Sequence, residues 1–565
     1  MFSTLVLKII NTTVKKPAFY KLKNMKRFKN SLWIVAICFF SININAQWTS
    51  NTEINTLVTT SEGGDMKALG ISSGKTYVVY WKAVAAPTNY ELRLQILDVE
   101  GYQLLGEEGM LVSDEIPMST YTVIWNITTD AEDNLYIGLT GTGSGEPAFV
   151  FKLDDEGNNL WGSSGVQVGS GYSVTILPLS NGEVIVSWFP GSESVLQKYD
   201  STGAAQWDTT ATISEDGNDT VPANMFELSD GDFVLVFHSI TFGINSNLFA
   251  QRFSSTQGIS QWTNPTQISN YGTVFNTSYD GLQVGDDVYM GYKASPGSRF
   301  DSFLQRINPD GSLPWGINGS DFDTNQTDYE MDTRLTYQEG SPYIWAVCTY
   351  TNSSQSEKGE RIQKYDKDTG ARMFSDQAKE IYPIGSEKVH AGSIHMDDNQ
   401  PLILIKEGFD NGASPTTLHA LKLDEEGDFA WDEETKPLAT YPANKSRIQF
   451  TRFAADQSVA VFIENRGSGS KIYAQNFTET ILGNSVADLE STLSFLNPVS
   501  ENWNIKSNVM MQSISIYNML GQLILLDDKI SSKEVFINTK YWEPGNYVLN
   551  IKTDQGNISK SVLKI

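Results

Sequence analysis

A short motif recurs through most of the chain: an apolar stretch, a polar turn with a glycine, and an aromatic residue four positions after that glycine. Its copies contain Gly157 and Trp161, Gly203 and Trp207, Gly258 and Trp262, Gly311 and Trp315, Gly370 and Phe374, Gly427 and Trp431, and, more weakly, Gly101 and Leu105. Successive glycines are 56, 46, 55, 53, 59 and 57 residues apart. A period this regular indicates a repeat architecture.

Each repeat unit reads as four short β-strands. In the third unit, alternating apolar residues predict strands at Tyr172–Leu177, Glu183–Trp188 and Val195–Tyr199, and a short outer strand that begins at Gln206 and Trp207. Helical periodicity is absent. Units of about 50 residues with four antiparallel strands are typical of β-propeller blades. We expect the recurrent indole to fill the wedge between adjacent blades.

The number of third strands predicts an all-β, eight-bladed propeller; the alternative is seven blades and an irregular segment. These strands are centred near residues 92, 149, 195, 249, 303, 361, 418 and 472. The eighth unit lacks an outer strand of its own, whereas Gln47 and Trp48 repeat the dipeptide Gln206-Trp207. We therefore expect the N-terminal segment to supply that strand and close the ring, which removes an exposed sheet edge.

The motif resembles the tryptophan-docking repeat of quinoprotein dehydrogenase propellers, most closely at Asp366–Gly370. The resemblance implies the blade skeleton. Those enzymes hold pyrroloquinoline quinone beside adjacent cysteines, whereas this chain has only Cys38 and Cys348. We therefore expect no such cofactor, and the apolar surroundings of Cys348 predict a buried, inert thiol.

Residues 1–46 have the composition of an export signal. They contain eight Lys or Arg and no Asp or Glu, and the basic stretch Met25–Lys29 precedes an apolar run of 11 residues, Leu32–Ile42. This pattern predicts a secretory signal peptide cleaved between Ala46 and Gln47, with residues 1–24 as an upstream extension. The run is too short to span a bilayer. Removing the segment changes the net charge from −26 to −34, which argues against a nucleic-acid partner.

The C-terminal residues differ in composition from the repeats. Short alternating strands separated by Asn-Pro, Leu-Gly and Pro-Gly turns predict a small Ig-like β-sandwich over residues 494–565. The string resembles the type A C-terminal sorting domain of the type IX secretion system of Bacteroidota. The matching residues are Asn497, Pro498, Tyr517, Asn518, Gly521, Gln522, Gly545, Tyr547 and Lys564.

That resemblance implies a route and partners. The Sec pathway would carry the precursor to the periplasm, and the type IX translocon and its shuttle components would recognise the terminal domain. The cargo would then be released or attached to the cell surface. The predicted organisation is an extension and signal peptide at 1–46, a propeller at 47–483, a linker at 484–493 and the sorting domain at 494–565.

Candidate metal ligands are sparse in the repeats. His390 and His395 are five residues apart, which on a strand places them on opposite faces and argues against a shared zinc ion. His238 and His419 stand alone. Seven acids between Asp424 and Glu434 could bind calcium, but the alternative is a solvated hairpin because the regular calcium-loop spacing is missing.

Three further features have a structural and a functional interpretation. Gly141–Gly145 lacks the lysine and helix of a phosphate-binding loop, which favours a plain loop between strands. Trp81, Trp188 and Trp345 could stack on sugars or pack between blades, and packing is favoured. No nucleophile-elbow motif occurs in the repeats, so catalytic residues are unknown.

Two functions remain open on the sequence. The first is a secreted or surface binding protein, whose loops hold a glycan or protein ligand. The second is a secreted hydrolase or lyase that acts on polysaccharide in the propeller funnel. The absence of a recognisable catalytic constellation favours binding.

Overall fold

The computed structural model describes residues 48–49, 51–84, 90–116, 125–142, 145–242, 245–274, 279–409, 411–412, 414–478, 493–519, 522–553 and 556–565. All regular structure within these ranges is β-strand. The predicted signal peptide, with its cleavage site between Ala46 and Gln47, lies outside the described residues, as do positions 484–492 of the predicted linker and Gly521.

The N-terminal strand β1 (Thr56–Leu57) precedes units 1 to 4 of the repeat region. Unit 1 contains β2 (Asp65–Gly70), β3 (Thr76–Ala83), β4 (Tyr90–Leu97) and β5 (Met110–Ser113). Unit 2 contains β6 (Asn126–Thr129), β7 (Leu135–Thr140), β8 (Pro147–Leu153) and β9 (Val166–Ser170). Unit 3 contains β10 (Tyr172–Pro178), β11 (Val184–Phe189), β12 (Ser194–Tyr199) and β13 (Ala211–Ile213). Unit 4 contains β14 (Asp219–Glu227), β15 (Phe233–Phe242), β16 (Asn245–Phe253), β17 (Thr266–Gln267) and β18 (Gly272–Thr273).

Units 5 to 8 continue the same antiparallel pattern. Unit 5 contains β19 (Asp280–Val284), β20 (Asp287–Ser295), β21 (Asp301–Ile307) and β22 (Ser320–Asp321). Unit 6 contains β23 (Tyr329–Tyr337), β24 (Tyr343–Thr351), β25 (Lys358–Asp366) and β26 (Lys379–Tyr382). Unit 7 contains β27 (Lys388–His390), β28 (His395–Asp397), β29 (Gln400–Glu407), β30 (Thr416–Lys422) and β31 (Lys436–Ala443). Unit 8 contains β32 (Lys445–Phe450), β33 (Ser458–Asn465) and β34 (Ser470–Phe477).

The strand order within units agrees with the sequence prediction, and each of the predicted third strands is confirmed. Two details differ. The outer strand of unit 3 begins at Ala211 and not at Gln206 and Trp207, because the Trp207 side chain is buried at the boundary with unit 4 before the strand starts. Units 4 and 5 also form one nine-stranded sheet, since β18 pairs with both β16 and β20.

The N-terminal segment completes the last unit. Strand β1 pairs antiparallel with β34, with Thr56 opposite Ala474 and Leu57 opposite Tyr473. This confirms that the segment adds an outer strand to unit 8, although the strand lies after Trp48 and not at it. Unit 8 and unit 1 also share one apolar cluster, in which Val461 and other residues of unit 8 pack with Met66 and its neighbours.

Indole side chains join most of the successive units. In each case Nε1 donates to a backbone carbonyl in the turn of the following unit. The pairs are Trp48 with Val99 at 2.8 Å, Trp161 with Ser201 at 2.9 Å, Trp207 with Ser255 at 3.0 Å, Trp262 with Pro309 at 3.1 Å, and Trp315 with Asp368 at 3.1 Å. Phe374 packs against Gly427 in the same way without a hydrogen bond, and Trp431 packs on Phe477 with ring centroids 5.7 Å apart.

A second set of contacts joins hairpins at the turn between first and second strands. Serine donates its hydroxyl to a carboxylate of the next unit, in the pairs Ser72 and Asp133 at 2.6 Å, Ser180 and Glu227 at 2.9 Å, and Ser229 and Asp286 at 2.6 Å. Units 3 and 4, and units 4 and 5, are therefore joined at two separate places.

The second strands form the core of the units. In β3 every residue from Thr76 to Trp81 is buried, because both faces of the strand are covered by neighbouring units. Trp81, Trp188 and Trp345 are 0%, 4% and 4% exposed, which confirms packing over sugar stacking for these three side chains. Cys348 is buried and free, as predicted.

The C-terminal region contains β35 (Leu493–Ser494), β36 (Asn502–Asn518), β37 (Leu523–Asp527), β38 (Ser532–Asn538), β39 (Gly545–Thr553) and β40 (Gly556–Lys564). The short strands expected from the sequence are replaced in part by the 17-residue β36. Its first half pairs with β38 and its second half with β37 and β39, so the strands form one continuous six-stranded sheet. Trp503, Ile514 and Leu549 lie in its apolar core.

Candidate functional site

A pocket of about 890 Å³ lies among units 6, 7 and 8, beside the loop that leads into unit 1. It is lined by the starts of first strands, which contribute Asp332, His390 and Arg447, and by the ends of second strands, which contribute Thr349 and Lys406. In an antiparallel unit these two positions lie at the same end of the sheet. Three different sheets therefore supply side chains to one cavity, and the loop that leads into unit 1 adds Gly63 and Gly64.

Irregular backbone shapes the wall of this pocket. The pairing of first and second strands shifts register between Glu330 and Asp332 in unit 6, and between Ser446 and Gln449 in unit 8. Arg447 lies inside the second shift with a φ of 53°, which is unfavourable for a residue with a side chain. Such backbone is often found where a fold positions a functional side chain.

His390 is held between two carboxylates at the base of the pocket. Its Nδ1 lies 2.9 Å from Glu360 Oε1, and its backbone N–H donates to Glu360 Oε2 at 3.0 Å. Its Nε2 lies 3.5 Å from Asp332 Oδ2. The His390 and Glu360 side chains are buried, whereas the Asp332 side chain is 52% exposed. The buried pair of His390 and Glu360 therefore lies next to Asp332, whose carboxylate is at the surface of the pocket.

The electrostatics of this site favour the charged forms of His390 and Asp332. Burial opposes a charge on His390, but the carboxylates of Glu360 and Asp332 outweigh it and raise its pKa to about 10. Burial also opposes the charge on Asp332, and the hydrogen bond from His390 and the charge of Arg334 together hold the pKa of Asp332 below its usual range. Both groups keep their charges at neutral pH.

Basic side chains outnumber acidic ones in the lining. Among the described residues, the lining contains Lys358, His390, Lys406, Lys445 and Arg447 on the basic side and Asp332 on the acidic side. The Lys445 side chain is fully buried, where its Nζ lies 3.1 Å from Glu464 and donates to the carbonyl of Thr416 at 2.8 Å. Its role is to hold units 7 and 8 together.

Arg447 has a different environment from Lys445. Its side chain is 50% exposed, and its Nε lies 3.1 Å from Asp65 at the start of unit 1. Asp65 in turn accepts a hydrogen bond of 2.9 Å from Trp125 Nε1. A guanidinium whose Nε faces Asp65 keeps further donors for a ligand.

The structure separates the remaining histidines. His395 Nε2 contacts the carbonyl oxygen of Phe450 at 3.0 Å, and burial lowers its pKa to about 4. His238 is buried beside Tyr279, with ring centroids 5.5 Å apart, and His419 lies 4.0 Å from Glu407. Within the described ranges, no group of three His, Cys, Asp or Glu side chains has the arrangement of a metal site.

The acids between Asp424 and Glu434 form a turn, a contact to the preceding unit and a contact within unit 7. Asp424 accepts the backbone N–H of Asp428 at 2.8 Å, Asp428 lies 2.7 Å from Lys379, and Glu434 lies 3.1 Å from Lys388. Their carboxylates point to different partners.

A buried carboxyl cluster between units 5 and 6 was not apparent from the sequence. It contains Asp301, Asp321, Asp323 and Glu330, with Arg299 and Arg361 on its edge. Burial and the nearby charges of Asp301 and Asp323 raise the pKa of Asp321 to about 7. Burial and Asp323 likewise raise the pKa of Glu330.

The residues of the predicted sorting motif join the first, middle and last strands of the C-terminal sheet. Asn497, which precedes Pro498, accepts the backbone N–H of Leu563 at 2.9 Å, and Gly545 pairs with Lys564. Asn518 and Gln522 close the hairpin between β36 and β37 with side-chain amides 2.8 Å apart. Tyr517 pairs with Val548, and Tyr547 is buried and donates its hydroxyl to Glu543 at 2.8 Å.

Residues 495–564 match the family described as Secretion system C-terminal sorting domain. The chain therefore carries a type IX sorting domain, which indicates export to the cell surface or the medium. In the part of the chain that the structure describes, no helix is long and apolar enough to cross a membrane.

No curated protein matches the chain. Solved structures with distant similarity include three that each cover 54% of the chain. A protein of unknown function from Dyadobacter fermentans is 11% identical, with 54% of this chain and 93% of that chain covered and a TM-score of 0.34. An α-L-arabinofuranosidase from Fusarium graminearum with an iminosugar inhibitor is 10% identical, with 54% and 92% covered and a TM-score of 0.32. An α-L-arabinanase from Penicillium chrysogenum with arabinobiose is 10% identical, with 54% and 92% covered and a TM-score of 0.31. Similarity at this level assigns no activity to the chain.

Proposed function

We propose that the chain is an exported, eight-bladed β-propeller that binds a polar ligand in the pocket among units 6, 7 and 8. Eight consecutive antiparallel units, and the pairing of β1 with β34 that joins the two ends of the repeats, support the propeller. The propeller serves as a rigid frame, and the sorting domain serves for export.

The charge state of the pocket carries the binding proposal. Proton transfer at neutral pH is most efficient when the pKa of the acid or base lies near 7. His390, with a pKa of about 10, and Asp332, with a lowered pKa, are both far from that range. Permanently charged groups of fixed geometry are suited to recognition of a polar ligand.

The second candidate is a hydrolase or lyase that acts on polysaccharide in the same pocket. The observation in its favour is that Asp332 and the pair of His390 and Glu360 meet at one cavity. For this activity the ligand would have to shift both pKa values toward neutrality on binding. Release of reducing sugar ends from polysaccharide by the mature chain, and its loss in Asp332→Asn, would establish this function.

Filling the pocket tests the binding proposal. Ser446 is exposed and lines the cavity, so Ser446→Trp would occupy it without disturbing the core. A set of oligosaccharides and peptides would be screened against the full mature chain by thermal shift and calorimetry. We expect at least one compound to bind, and Ser446→Trp to abolish that binding.

The control is the same substitution at Ser201, which is exposed in a turn of unit 3. Ser201→Trp should bind like the unmodified protein. A ligand that binds Ser446→Trp with unchanged affinity would contradict the proposed site.

A further inference from the structure

We propose that the ligand of this pocket is an acidic saccharide, whose carboxylate is held by Arg447. This inference rests on the proposed binding function and adds the chemical class of the ligand. It begins from the sign of the charge in the pocket.

The pocket is basic in a strongly acidic protein. The chain contains 67 Asp and Glu and 41 Lys and Arg. A representative sample of its surface would therefore contain more acids than bases. The lining, apart from Lys445, which is fully buried against Glu464, has three Lys or Arg side chains and one Asp. A local positive field within a negative protein concentrates anionic ligands at that place.

The basic side chains of the lining differ in burial and in their partners. Two of them stabilise the fold, and one is accessible to a ligand. Lys445 is fully buried against Glu464, and His390 is enclosed by Glu360 and Asp332. Arg447 is half exposed, projects from a left-handed backbone position at the rim, and contacts Asp65 through Nε. Its two terminal nitrogens suit a two-pronged hydrogen bond to a carboxylate.

The other lining groups favour a saccharide over an acidic peptide. Thr349, Thr351, Gln355, Ser446 and Ser470 are uncharged polar residues that line the cavity. Hydroxyl-rich ligands satisfy such groups, since each sugar hydroxyl both donates and accepts.

Calorimetry on the full mature chain tests the class of ligand with three probes: tetragalacturonate, neutral cellotetraose and tetraglutamate. We expect tetragalacturonate to bind most tightly and to lose affinity when NaCl is raised from about 50 to 500 mM, because salt screens exposed charges. Arg447→Gln should weaken binding about tenfold or more, as expected for loss of a charge-assisted hydrogen bond. Lys506→Gln, which removes an exposed cation from the C-terminal sheet, is the matched control and should have no effect.

Each other result has a defined meaning. If cellotetraose binds as tightly as tetragalacturonate and Arg447→Gln changes neither affinity, the acidic class is wrong and the binding function stands. If tetraglutamate binds more tightly, the saccharide class is wrong. If none of the three probes binds, this inference fails, and the wider screen with Ser446→Trp separately decides the proposed function.

Discussion

The indole nitrogen of Trp48 donates a hydrogen bond of 2.8 Å to the carbonyl of Val99 in unit 1, and a Cβ on Gly101 would approach the same indole to 2.7 Å. Trp48 belongs to the segment that completes unit 8 through β1. One short stretch of chain therefore connects the last unit to the first.

Trp48→Ala should destabilise the repeat region. It removes the hydrogen bond and the partly buried ring, and loss of a buried Trp costs about 3 kcal/mol. Deleting Trp48–Leu57 should cost more, because unit 8 then loses its outer strand as well. Thermal unfolding measures both variants. Ile54→Ala, at a side chain 57% exposed, is the control, and equal melting of all variants would contradict the role of this segment.

Two glycine substitutions separate crowding from backbone strain. Gly203 and Gly182 have φ values of 84° and 83°, so alanine suffers the same left-handed penalty of about 1 kcal/mol at either site. At Gly203 the new Cβ would also come within 2.8 Å of Val166 and 3.1 Å of Trp161, whereas at Gly182 nothing lies within 4 Å. Gly203→Ala should therefore lower the denaturant midpoint more than Gly182→Ala. Equal midpoints would show that the indole is not packed against the turn.

The carboxyl cluster predicts a stability that falls as pH rises. The pKa of Asp321 is about 7 in the folded chain and near 3.8 in the unfolded chain. Its contribution is present at pH below about 4 and is lost as pH rises through about 7. Asp321→Asn mimics the protonated form, so it should raise the melting temperature most at pH 8.5 and progressively less as the pH falls toward 4. Glu339→Gln, at an exposed site, should change the melting temperature equally little at every pH. If both variants show the same pH dependence, the assignment to Asp321 is wrong.

The sorting domain predicts where a truncated chain accumulates. Removing residues 494–565 deletes the segment that matches the sorting family, so the repeat region should reach the periplasm and remain there. Fractionation and immunoblotting measure its distribution. Glu339→Gln in the full-length chain, at an exposed site of the repeat region, serves as the export-competent control. Appearance of the truncated chain in the medium would show that export does not depend on this domain.

Local patterns predicted the repeats but not the pocket. The spacing of Gly203 and Trp207 identifies a turn and its aromatic neighbour within one unit, and the same spacing recurs through the chain. Residues of the pocket come from three units, and nothing in their immediate sequence distinguishes them. The available signal was the repeat itself, since Asp332, His390 and Arg447 are 58 and 57 residues apart, close to one period.

The errors in strand position have physical causes. The sequence predicts an outer strand at Trp207, because this residue follows a turn and is apolar. In the structure its indole Nε1 donates a hydrogen bond to the carbonyl of Ser255 in the next unit. The strand can begin only after that side chain has been placed, at Ala211. In the C-terminal sheet, the pairing of β36 shifts register between Lys506 and Met511 and again between Met511 and Ser513. The alternation of polar and apolar residues is therefore interrupted, and the sequence does not indicate one continuous strand.

Completion of unit 8 constrains the order in which the repeat region can fold. Asn55 hydrogen-bonds Gln475, a partner 420 positions away, beside the pairing of β1 with β34. The amino-terminal strand must therefore wait, unpaired, until nearly all of the repeat region has been synthesised. Contacts of such long sequence separation form slowly and leave apolar edges open in the interval. A chaperone or carrier that shields the early units before β1 and β34 pair would act on this open state.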